Sequence, residues 1–113
     1  MDSTTIQNKI YELVERLDKL IPEWSKSKAN HNYCTDMKAV VLNLEKKKSP
    51  QKTAIAREED AYCSEEYKKY LWKSFEIDCT FYSLDGTKGL FEKELDAMRS
   101  LLSFERNLID KTK

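Results

Sequence analysis

Ile6, Ile10, Leu13, Leu17, Leu20 and Trp24 follow one another at steps of four and three residues, the spacing that keeps apolar side chains on one narrow face of an α-helix. Thr4 can cap this helix, with Gln7 three residues on to complete a capping box. Proline lacks a backbone N–H and crowds the preceding turn, so Pro22 predicts a break or restart at Ile21–Pro22, with Trp24 opening a second helix. Tyr33, Met37, Val40 and Leu44 continue the same spacing until the run meets Lys46, Lys47 and Lys48. Ser49–Pro50 then predicts another helix start, serine as the cap and proline at the first helical position.

From Ser64, a further cap followed by Glu65 and Glu66, the pattern lengthens into heptads. Every seventh residue gives Tyr70, Ile77, Leu84, Phe91, Met98 and Glu105, and the companion positions are Ser74, Phe81, Lys88, Leu95, Leu102 and Ile109. Nine of these twelve are apolar, and the phase survives Asp85-Gly86-Thr87-Lys88-Gly89, a segment with the composition of a turn. A chain reversal would not need to preserve that register. One long helix from about Ser64 to Ile109 is therefore expected, with a helical hairpin at the glycines as the alternative. At about 1.5 Å per residue such a helix runs to roughly 70 Å, too long for short N-terminal helices to cover. Its seam of Tyr70, Ile77, Phe81, Leu84, Phe91, Leu95, Met98, Leu102 and Ile109 is accordingly expected to meet other copies in a homo-oligomer.

Composition agrees with an all-α chain. Of the 113 residues 35% are charged and only two are glycine and two proline, which favours helix and exposed surface in a single domain. Its parts read as N-terminal helices over 1–48, a basic helix over 49–63 and a long oligomerisation helix over 64–113. Cys34, Cys63 and Cys79 form no CxxC spacing and are joined by one histidine, His31, so neither a disulfide framework nor a metal site is expected. Without a basic start and apolar run at the N-terminus, or any apolar stretch of membrane-spanning length, the expected setting is the cytoplasm (that of a bacterial host if the chain is viral), with no membrane partner.

Charge changes the picture at one place. Lys46, Lys47, Lys48, Lys52 and Arg57 fall within twelve residues that contain no acid, although the chain as a whole has no net charge. Such grouping suits an anionic partner, phosphate foremost, while lysines closing a helix also complement its negative end. Tyr62, Tyr67 and Trp72, interleaved with Lys68 and Lys69, are residue types that stack on bases next to cations that meet phosphate. Nothing comparable points to an enzyme or a cofactor. Gly86 and Gly89 lack the spacing of a phosphate loop, His31 has no partner nearby in sequence, and Glu58–Glu59 and Glu65–Glu66 are adjacent pairs that diverge on a helix.

The segment Lys52-Thr53-Ala54-Ile55-Ala56-Arg57-Glu58-Glu59-Asp60-Ala61-Tyr62, with the lysines before it, resembles the basic helical motif of bacteriophage recombination mediators of the UvsY type. Leu95-Asp96-Ala97-Met98-Arg99-Ser100 is a second similarity, and together they extend over about Asn43 to Asp110. The resemblance implies a small, oligomeric, non-enzymatic protein that binds single-stranded DNA and helps load a RecA-like recombinase onto strands covered by single-strand-binding protein. It would make Lys47, Lys48, Lys52 and Arg57 the DNA contacts and the C-terminal helix the self-assembly element. Glu58 and Glu59 depart from the family's more basic or apolar pattern. The competing expectation is a helical adaptor or inhibitor that uses its aromatic faces against a protein partner, with the lysines as a solvated helix end.

Overall fold

A computed structural model describes residues 1–112, and these form three helices: α1, Ser3–Lys48; α2, Ala54–Cys63; and α3, Glu65–Thr112. Lys113, the last residue of the expected C-terminal helix, lies outside the described residues. The chain is all-α, and α3 is the continuous long helix that the heptads predict.

Asp2, one residue outside α1, is its cap in place of Thr4. The Asp2 carboxylate accepts a hydrogen bond from the Thr5 backbone N–H at 2.8 Å. A carboxylate satisfies the orphan N–H as a hydroxyl would and adds negative charge at the positive end of the helix. That Thr5 hydrogen bond holds the Asp2 carboxyl below its usual pKa.

The break expected at Ile21–Pro22 is absent, since Pro22 lies inside α1. An interior proline costs about 3 kcal/mol through its lost hydrogen bond and steric crowding. Packing on both sides of it offsets that cost. Leu13 and Leu17 before Pro22 are buried with Leu95. After it, the Trp24 indole N–H donates to Asp85 at 2.9 Å and the Lys88 ammonium sits 4.5 Å from the Trp24 ring centroid. Helices in proteins owe most of their stability to such packed faces, and local propensity yields to them.

α2 also begins later than the Ser49–Pro50 signal predicts. Thr53 is its cap, with extended backbone and a side chain that accepts from Ala56 N–H at 3.2 Å. Ser49 is engaged elsewhere: its hydroxyl donates to Asp60 at 2.6 Å and accepts from Gln51 N–H at 3.2 Å. Those bonds fold Ser49 to Gln51 into a local turn that holds the connection against α2. Ser64 separates α2 from α3 as expected, its hydroxyl accepting from Tyr67 N–H at 3.2 Å and donating to the Ala61 carbonyl at 2.9 Å.

The chain divides into two compact units, one of Met1–Ser25 with the segment from Ser83 onward, the other Lys26–Tyr82. In the first, Leu13, Leu17 and Leu95 are buried together, with Ile10, Val14, Phe91 and Met98 packed against them. The Arg16 guanidinium lies over the Phe91 ring at 5.9 Å from its centroid. In the second, Cys34, Ala61, Tyr67 and Phe81 are buried. His31 stacks on Phe81 with ring centroids 4.7 Å apart and meets Asp78 through Nδ1 at 2.6 Å.

Gly86 and Gly89 sit within α3 without positive φ, and a methyl group added at either would meet nothing within 4 Å. Gly86→Ala and Gly89→Ala should therefore each raise the unfolding free energy by about 1 kcal/mol, the helix-propensity difference. Urea denaturation checks this. A loss of stability in both variants would mean that the chain bends at the glycines in solution.

Candidate nucleic-acid interface

The basic run lies where α1 ends and α2 begins, entirely within the second unit. Lys46, Lys47 and Lys48 form the last turn of α1, where their charge complements the unpaired carbonyls of a helix end. The turn held by Ser49 brings α2 back, so that Lys46 and Lys47 share the lining of a depression of about 260 Å3 with Ala54, Arg57 and Glu58. Arg57 is fixed there by its Nε–H, which donates to the Gln51 carbonyl at 2.7 Å. Ala54 is the first residue of α2, so the positive end of that helix dipole faces the same depression. Glu58 is the one acid on the lining, and neighbouring Asp60 is held by Ser49.

Of the candidate DNA contacts Lys46, Lys47, Lys48, Lys52, Arg57 and Tyr62, the structure thus gathers Lys46, Lys47 and Arg57. None of the three has a carboxylate partner among the described residues. Lys48 turns away to Glu45, a buried carboxylate that it meets at 3.0 Å. Its charge is therefore committed to compensating a buried acid. Lys52 is exposed in the bend before Thr53 and does not line the depression. Tyr62, near the far end of α2, stands edge-on to Tyr67 at 5.6 Å between ring centroids, and Tyr67 in turn stacks on Tyr70 at 6.3 Å.

Part of the heptad seam is covered within the chain. Leu95 belongs to the buried cluster, Phe91 and Met98 pack against it, and Phe81 is buried beneath His31. Tyr70, Ile77, Leu84 and Leu102 are half-buried, and only Ile109 is exposed. A continuous α1 supplies the facing helix.

Sequence reading missed the His31–Asp78 pair, whose members are 47 residues apart. A signal was present: His31 follows Trp24 by seven residues and so continues the Ile10, Leu17, Trp24 series into the interior. The exposed aromatics Trp72 and Phe75 stack on each other at 5.7 Å, a pairing that their spacing of three residues on α3 allows.

The Tyr70 hydroxyl is buried with no hydrogen-bond partner among the described residues. Burial raises its pKa above the usual phenol value, with Cys34, Tyr67 and Asp78 adding in the same direction. Because the folded pKa is raised, the phenol leaves stability independent of pH below its unfolded value of about 10, and stability is lost as pH climbs from there through the folded one. Tyr70→Phe removes an unsatisfied polar atom and should stabilise the fold by about 1 kcal/mol near neutral pH. Thermal unfolding of the two proteins side by side reads this out, and destabilisation by the same amount would show that the hydroxyl has a partner.

No family model, curated protein or solved structure matches the chain. No described helix is long and apolar enough to cross a membrane.

Proposed function

We propose that this chain is a non-enzymatic single-stranded DNA-binding protein of the recombination-mediator kind. It grips the phosphate backbone at the α1–α2 junction and acts as a homo-oligomer to help a RecA-like recombinase displace single-strand-binding protein. The observation that carries the reading is the meeting of Lys46, Lys47 and Arg57, from two helices, around one depression without carboxylate partners among the described residues. The cluster supports polyanion binding, and the resemblance of Lys52–Tyr62 and Leu95–Ser100 to the mediator family supports the recombinase role. Mediation needs no active site, only moderate affinity, so that a strand once held can be passed on.

The test is a salt titration of labelled single-stranded and duplex DNA, with the protein's mass measured in the same buffers. A preference for single strands that persists near 0.15 M salt, with a log–log slope of about 0.7 per phosphate contact, supports the reading and leads to a recombinase-loading assay. Binding to neither form overturns it.

A protein-binding adaptor is favoured by a different surface. Leu101, Phe104 and Leu108 stand exposed at steps of three and four along α3 in the first unit, a stripe suited to a partner helix. Retention of one stoichiometric protein after nuclease treatment, with no DNA binding, would select this reading.

A further inference from the structure

The most exposed large aromatic surface of the second unit lies on α3. Trp72 is 65% and Phe75 56% exposed, yet the two rings are stacked on each other at 5.7 Å with planes 29° apart. Leu71 beside them is also exposed. Lys68 and Lys69 precede Trp72 by four and three residues, one helical turn, which places them on the same side of α3. Their bonds to Glu65 and Glu66, at 3.7 and 3.8 Å, are long and solvent-exposed. Pairs of that kind hold a lysine only weakly, so either side chain can turn to a phosphate.

Lysines line two depressions shared by α1 and α3 in this unit. Lys48, Lys69 and Lys73 line one depression of about 410 Å3 together with Leu44, Glu45 and Glu66. Phe75 and Leu71 line the next, of about 340 Å3, with Lys38 of α1 and with Asp78, which is bound to His31. Lys38 and Lys73 have no ion-pair partner among the described residues.

We infer that Trp72 and Phe75 form a base-stacking platform for single-stranded nucleic acid, with Lys38, Lys69 and Lys73 meeting the phosphates on either side. The inference rests on the proposed function and names a second contact in it: the cluster of Lys46, Lys47 and Arg57 holds backbone, and the aromatic pair holds bases. Flat rings accept any base, so the site is tolerant of sequence and blind to paired DNA, whose bases are already stacked. Patch size favours this occupant over a second copy of the chain. Trp72, Phe75 and Tyr82, three aromatic side chains of about 150–250 Å2 that are each roughly half to two-thirds exposed, offer on the order of 300–400 Å2, to which Leu71 adds. A stable protein interface needs about 800 Å2 on each partner.

Tryptophan emission during titration with a thymidine oligonucleotide tests the platform, comparing the full-length protein with Trp72→Phe and Trp72→Ala. Trp24 is half-buried and hydrogen-bonded to Asp85, so the exposed indole is the one expected to respond. Stacking predicts quenching that is lost in Trp72→Phe, and binding about tenfold weaker in Trp72→Ala, within the range for loss of one stacked base. An abasic strand of equal length should bind the wild type about as weakly as the normal strand binds Trp72→Ala. Full binding by anisotropy without quenching, and with unchanged Trp72→Ala affinity, overturns the platform while leaving the proposed function standing. Absence of all DNA binding overturns both. A blue shift that grows with protein concentration in the absence of DNA, with a doubled mass, assigns the surface to self-association and overturns the platform.

Discussion

Leu13→Ala should lower the unfolding free energy by about 3 kcal/mol, the middle of the range for deleting a buried leucine side chain. Leu13 is completely buried and forms the core of the first unit with Leu17 and Leu95. The remaining contacts around it are leucine, isoleucine, valine, phenylalanine and methionine side chains carried by two helices with backbones fixed by their own hydrogen bonds. Such a site collapses little, and the cavity adds to the lost transfer energy. Urea denaturation followed by circular dichroism gives the difference. A loss below about 1 kcal/mol would indicate that Leu13 is not packed against Leu17 and Leu95 in solution.

What the sequence made legible, and what it hid, follows from the range over which each signal acts. The register of α3 was readable because a helix repeats its face every few residues, and Tyr70 through Leu102 keep the phase across both glycines. Gly86 and Gly89 weaken a helix without forbidding it, so a sustained heptad overrides them. Pro22 was misread for the complementary reason. A local rule gives the cost of an interior proline, but the compensation comes from Leu95, Asp85 and Lys88, more than sixty residues away. The same limit explains the caps. Asp2, Thr4, Ser49 and Thr53 are all competent cap residues, and the sequence does not reveal that Asp60 draws Ser49 away from that role.

The candidate site divides along the same line. A run of five cations is visible in the sequence, but their individual duties are set by tertiary neighbours. Glu45 becomes buried and claims Lys48, whereas the returning α2 sets Arg57 beside Lys46 and Lys47. The resemblance to recombination mediators named Lys47, Lys48, Lys52 and Arg57 together. Geometry retains Lys47 and Arg57 at the depression, adds Lys46, and gives Lys48 a structural partner.

That division selects the second large effect. The triple variant Lys46→Glu, Lys47→Glu, Arg57→Glu should lose single-stranded DNA binding while remaining as helical as the wild type. Lys46 and Lys47 have no carboxylate partner to lose among the described residues, and the Arg57 bond to the Gln51 carbonyl is exposed. Each phosphate contact contributes about 0.7 to the slope of log affinity against log salt, so three contacts contribute about 2. Extrapolated from 1 M to 0.15 M salt, a slope of that size corresponds to roughly fiftyfold in affinity, and reversed charges add repulsion to the loss. Lys48 is deliberately left unchanged, because replacing it would expose Glu45 as an uncompensated buried acid and confuse a folding defect with a binding one. Anisotropy titrations of both proteins at several salt concentrations provide the affinity and the slope together. A triple variant with wild-type affinity and slope would remove the α1–α2 junction from the DNA path and leave the lysines as a solvated helix end.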